Sequence, residues 1–174
     1  MISYEKAKKT LRKYIKGPKV IKHSKGVSDF AFKLAKKINE KHPELKIDVE
    51  KVRIAALLHD IGKYHEEGHE ERSLNILKKE GLKEIEKISK HAFLFLKHVE
   101  EKGISNSTEE IENKIVAYSD ARFKFSPMTV EERVEQAKTG WKGSPKEINS
   151  KVKYVKSLLS KLEKELLELA GEKV

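Results

Sequence analysis

The 174-residue chain contains no cysteine. That excludes disulfides, thiolate metal sites and cysteine nucleophiles, so any metal bound here must be held by histidine, carboxylate and water. No stretch approaches the roughly 18 consecutive apolar residues of a membrane-spanning helix, and no membrane partner is expected. The opening residues, MISYEKAKKTLRKYIKG, carry a charge every few positions and have no apolar run, which does not read as a secretory signal. A cytoplasmic location is therefore the expectation. Glutamine occurs once, at Gln136, while lysine, glutamate and isoleucine are used heavily. That bias resembles the composition of high-temperature cytosolic proteins.

What is present in abundance is charge. Charged residues make up 38% of the chain against 37% hydrophobic, with a formal net charge of +10. Lysines lie along nearly every segment rather than in one block, the pattern of a solvated surface more than of a dedicated nucleic-acid face. The positive excess still favours an anionic partner, a small phosphorylated compound such as a nucleotide ahead of nucleic acid.

Helical periodicity dominates and no window alternates like a strand. Ser3 caps a first helix to about Ile15, ended by Gly17-Pro18. A long amphipathic helix carrying Val20, Val27, Phe30, Leu34 and Ile38 on one face stops near His42-Pro43. Asp48 caps VEKVRIAALLHDIG; further helices are expected over His69–Glu80, Leu82–Glu101, from Thr108 through IENKIVAYSDARF, over TVEERVEQAK, and over about Lys146–Leu169. The expected architecture is one all-α domain over residues 1–174, a bundle of about seven or eight helices. Its core spans about residues 20–122, and a flap with dense Pro and Gly punctuation covers about 125–145. The last helix has a broad apolar stripe, Val152, Val155, Leu158, Leu159, Leu162, Leu166 and Leu169, suited to packing on the bundle or to a homodimer interface.

The chemistry-bearing residues interrupt these stripes. His59-Asp60 ends the most apolar helix, with Val49, Val52 and Ala56 at the spacing that puts His59 on the buried face. Neighbours on a helix point about 100° apart, so both side chains converge on one ion only at a helix end or corner, which Gly62 supplies. His23 extends the stripe of Val27 and Phe30 by one turn; Asp120 follows Val116 by four; His91 follows Ile88 by three and precedes Phe95 by four. Burying an imidazole or carboxylate is costly unless it is paired or bound to metal. Each residue alone is compatible with an ordinary satisfied core position; several in one short chain point to a ligand set.

The ordered set His23, His59-Asp60 in HDIGK, and Asp120 in IVAYSDARF resembles the HD superfamily of metal-dependent phosphohydrolases, over about Val20 to Arg122. The resemblance implies that His23, His59, Asp60 and Asp120 hold a divalent metal and leave positions for water and phosphate. Two-metal members, the small diadenosine-tetraphosphate hydrolases among them, use two further histidines. His69 in HEERSLNIL and His91 in KISKHAF match these best, with His65 and His98 as competitors. Without a double His or a Gly-Tyr-Pro signature, a cyclic-di-nucleotide phosphodiesterase is disfavoured.

Nitrogen and oxygen donors suit Mn, Fe, Co, Ni, Zn or Mg, one ion or two. The implied activity is hydrolysis of a phosphomonoester or phosphoanhydride, of a nucleotide above all, by a metal-bound hydroxide. Asp60 ligates and orients the nucleophile, and Lys63, three residues further on, meets a phosphate oxygen. Arg122 offers a second, forked phosphate contact. Phe123, Phe125 and Trp141 flank the flap and suit either base stacking or packing. Two other functions fit the same residues: a non-catalytic nucleotide- or nucleic-acid-binding regulator, and a di-iron oxygenase built on the same fold.

Overall fold

A computed structural model describes residues 2–63, 68–89 and 107–172. Among these residues the structure is all-α. Helix α1 (Tyr4–Tyr14) starts where Ser3 Oγ accepts from the Lys6 amide, satisfying an N–H that the first turn leaves unpaired. Helix α2 (Pro18–Lys41) has proline at its first position, where no amide is needed, and stops at His42, which Pro43 disfavours as helix. Asp48 caps α3 (Val49–Leu58). Next come α4 (His69–Lys79), α5 (Lys83–Ile88), α6 (Thr108–Ala121), α7 (Val130–Lys138) and α8 (Pro145–Leu169). Both α7 and α8 open with a full capping box, Thr129 with Glu132 and Ser144 with Glu147.

Two expectations about boundaries need correction. The helix expected over Leu82–Glu101 ends at Ile88, where Ser89 leaves helical geometry and its hydroxyl donates to the Ile85 carbonyl; the rest of that span, with His91 and His98, lies outside the described residues, as does His65. Helix α6 begins at Thr108 as expected, capped by Ser107, while the Thr108 hydroxyl donates to the Leu45 carbonyl. The last helix begins at Pro145, one residue earlier than expected.

The core forms around α2, α3 and α6. Helix α3 buries Val52 and Ile54 through Leu58, and α6 is buried on every side from Ile111 to Ala121. Each fully buried Leu or Ile there contributes about 1.5–3 kcal/mol. On α2 the buried line runs His23, Val27, Ala31, Leu34 and Ile38, with Val20 and Phe30 partly covered at its side. The buried carboxylate of Glu112 on α6 pairs with Lys51 and accepts the Asp48 amide at 2.9 Å, fixing the start of α3. Val155, Leu159, Leu162 and Leu166 of α8 are buried within the chain, so the stripe offered as a dimer face is covered by the bundle. None of the described helices is long and apolar enough to cross a membrane.

After Leu58 the chain turns twice, through bonds from Ile61 N–H to Leu58 O and from Lys63 N–H to Asp60 O, both 3.0 Å. Gly62 lies against the first turn of α4. A Cβ there would stand 2.6 Å from the Ser73 amide nitrogen and 2.8 Å from the His69 carbonyl oxygen. Ser73 locks the contact, accepting from Gly62 N–H (2.9 Å) and donating to His69 O (2.8 Å). Because the obstruction is backbone, Gly62→Ala is expected to lower unfolding stability by about 1–3 kcal/mol; a urea midpoint unchanged from wild type would show that α4 does not pack so closely.

Candidate metal centre

The three most buried helices bring their polar residues to one point. His23 Nε2 lies 3.3 Å from His59 Nε2 and 3.3 Å from Asp120 Oδ1, and His59 Nε2 lies 3.5 Å from the same oxygen. Asp60 Oδ2 is 3.6 Å from each of the two Nε2 atoms. All four side chains are buried. Ligands about 2.1 Å from a common ion stand roughly 3–3.5 Å from one another, so the donors have the spacing of a coordination shell. His59 is the cap of α3 and Asp60 sits in the turn beyond it, which is how adjacent residues converge.

The outer nitrogens define the tautomers. His59 Nδ1 donates to the Ala56 carbonyl at 2.7 Å, and His23 Nδ1 to the Lys124 carbonyl at 3.0 Å. A carbonyl only accepts, so each ring carries a proton on Nδ1 and turns Nε2 into the centre, free to offer a lone pair to a metal or, when protonated, to donate to Asp120. Two ring nitrogens facing at 3.3 Å, with two buried carboxylates alongside, make a place where positive charge, a metal ion or protons, is stabilised. The nitrogen and oxygen donor set therefore fits a divalent metal.

The electrostatics agree. Burial disfavours charge on His59, yet the carboxylates of Asp60 and Asp120 outweigh it and raise the imidazole above its ordinary 6.5. Burial would likewise raise Asp60, but the positive charge of His59 and Lys63 draws it down to about 2. Asp120 is also held well below the usual carboxylate range against its burial, by hydrogen bonds from His23 and His59 and by charges that include Arg133.

His69, at the start of α4, places Nε2 3.6 Å from Asp60 Oδ1, on the opposite oxygen from the first centre. His91, the other histidine expected to hold a second ion, lies outside the described residues. Lys63 donates to Asp60 Oδ2 at 2.8 Å and also faces the cavity. Arg122 does not line that cavity. Its guanidinium is bound by Glu163, the Tyr118 hydroxyl and the Met128 carbonyl, which ties α6 to α8. Trp141 packs on the buried cluster of Ala121, Val130, Val134, Val155 and Leu159, under the ammonium of Lys151. It is a packing residue, whereas Phe123 and Phe125 do line the cavity.

The cavity, about 170 Å³, also exposes Lys19, Lys124 and Arg133. None stood out in the sequence, because each occupies an ordinary surface position in its own helix or turn. The turn after α6 folds inward: Met128 N–H bonds to Arg122 O at 2.8 Å, and Phe123 lies over Gly26, where a Cβ would stand 1.8 Å from its ring. The missing side chain on α2 lets this turn approach and deliver the Lys124 carbonyl to His23.

A family model described as HD domain matches residues 20–158. No curated protein and no solved structure matches the chain.

A raised folded-state pKa means that protonated His59 stabilises the metal-free fold fully below pH 6.5, and ceases to as pH rises through the folded value. Chelator-treated protein is therefore expected to lose thermal stability as pH rises above 6.5, while metal, which takes deprotonated ligands, stabilises increasingly in the same direction. Melting curves with and without Mn would check this; identical pH profiles would contradict a metal at this point.

Proposed function

The chain belongs to the HD domain family, and we propose that it is a metal-dependent phosphohydrolase acting on a nucleotide phosphomonoester or phosphoanhydride. The observation that carries the reading is the pair of inward-facing Nε2 atoms of His23 and His59 beside two buried carboxylates, opening into a cavity edged by cations. His23, His59, Asp60 and Asp120 would hold one ion. Asp60, His69 and His91 would share in holding a second. Bound there, a divalent ion supplies acidified water at neutral pH and offsets charge on phosphoryl oxygens.

The chain's own groups do the rest. A carboxylate held as low as Asp60 stays ionised at neutral pH, so it orients a water proton as an acceptor rather than storing it. Lys63, about two-fifths exposed and hydrogen-bonded to Asp60, can swing its ammonium to a phosphoryl oxygen without leaving the cavity mouth. The Lys124 and Ala56 carbonyls keep the histidine rings from rotating. Phe123 and Val20 wall the inner face and exclude bulk water, which strengthens each of these charge interactions.

The purified protein is expected to retain divalent metal, and to hydrolyse a generic phosphomonoester such as p-nitrophenyl phosphate when Mn or Co is supplied. Asp60→Ala should lower kcat by roughly a hundredfold or more and reduce metal content, and His69→Ala should leave one ion where wild type holds two. Lys63→Ala should lower kcat/KM by about tenfold with metal content unchanged. Iron retained without any phosphoester hydrolysis would favour the oxygenase, and neither metal nor activity would leave only a binding protein.

A further inference from the structure

The cavity beside the metal centre is lined by four cations from separate segments: Lys63 at the corner, Lys19 in the first turn of α2, Lys124 in the inward turn, and Arg133 on α7. Against them stand two carboxylates, Asp60 and Asp120. A single divalent ion would offset those carboxylates, leaving the four cations for the substrate. A terminal phosphate brings at most about two negative charges at neutral pH.

The cations also differ in how they are held. Lys63 is already hydrogen-bonded to Asp60, on the metal side. For Lys19, Lys124 and Arg133, no carboxylate lies within ion-pair distance among the described residues. Arg133 is the most telling of them. It is half-buried, and its Nη1 donates to the neutral Oε1 of Gln136 at 3.1 Å, which orients the guanidinium without neutralising it. Two other half-buried arginines have acids within ion-pair distance: Arg122 has Glu163, and Arg53 has Asp29 and Glu50. A partly desolvated guanidinium that faces the cavity from beyond ion-pair distance of its carboxylates is suited to an anionic ligand.

Resting on the reading that the metal centre takes a phosphoryl group, we propose that Arg133, Lys124 and Lys19 form a second anion subsite, so that the substrate carries at least two linked phosphates. The phosphoryl group to be cleaved sits over the metal centre and Lys63. The neighbouring phosphate lies toward α7 and the inward turn. The cavity is too small to enclose a whole nucleotide as well, since sites for drug-sized ligands measure roughly 300 Å³ or more. The organic part of the substrate then extends over the rim at Phe125, whose ring is 42% exposed.

Titration calorimetry on the full-length, chelator-stripped protein tests the subsite apart from catalysis, with orthophosphate and tripolyphosphate as probes at physiological salt. Tripolyphosphate is expected to bind at least about tenfold more tightly, and Arg133→Gln and Lys124→Gln should each weaken it by about tenfold. Lys161→Gln, which removes the same charge from an exposed lysine on α8 outside the cavity, should retain wild-type affinity. Equal affinity for the two probes, or an equal loss in Lys161→Gln, would overturn the proposal by showing only diffuse attraction to a basic protein. Should Arg133→Gln fail to fold, Lys124→Gln decides the same question. Discrimination by a protein that hydrolyses nothing would keep the subsite and refute the hydrolase. Metal-dependent hydrolysis without discrimination would keep the hydrolase and refute the subsite.

Discussion

Two imidazole nitrogens, buried 3.3 Å apart beside two ionised carboxylates, form an arrangement that positive charge stabilises, whether a metal ion on the nitrogens or protons in its place. Each ring is fixed by a backbone carbonyl behind it, so neither can turn away. The fold carries this constraint on its most buried elements. Helices α2, α3 and α6 each place a ligand where the apolar stripe would otherwise continue, which aligns the donors as accurately as the core packs.

Close backbone approach completes the centre at two glycines. Gly62 lets α4 seat its first turn on the corner after Asp60, bringing His69 to the far oxygen of that carboxylate. Gly26 lets Phe123 lie on α2, which lowers the turn after α6 onto His23. One consequence reaches beyond the metal. The same turn carries Lys124, and the helix after it carries Arg133, so the segment that orients a ligand histidine also furnishes the cationic wall of the cavity. The orientation of the His23 ring and the placement of the cavity's cations thereby depend on the same stretch, residues 122–133.

The two arginines show how little a residue's sequence position says about its partner. Arg122, two past a metal ligand, is aimed along α6 at the Tyr118 hydroxyl and Glu163 of α8 and acts as a brace. Arg133, eleven residues later on a short polar helix, reaches the cavity because α7 folds back over the end of α6, where Val130 and Val134 bury in one cluster with Ala121. Trp141 follows the same logic: it comes just after α7 in sequence, yet it packs away from the cavity on the cluster that holds Val155 and Leu159 of α8.

By itself the sequence determined the helical class and most helix starts, and it singled out the side chains that meet at the candidate centre. Helix periodicity is local, caps act within one turn, and a histidine or aspartate that replaces an apolar residue in a stripe is visible without the neighbouring helix. Ser3, Asp48 and Thr129 cap as local chemistry requires, and His23, His59 and Asp120 come together from three helices, with Asp60 joining them from the corner after α3. Only the tertiary structure decided which carbonyls orient the rings, that α5 stops at Ile88, and which cations surround the cavity. Those outcomes depend on contacts between segments far apart in sequence, such as Gly26 with Phe123 and His23 with Lys124, whose energies no single window of residues contains.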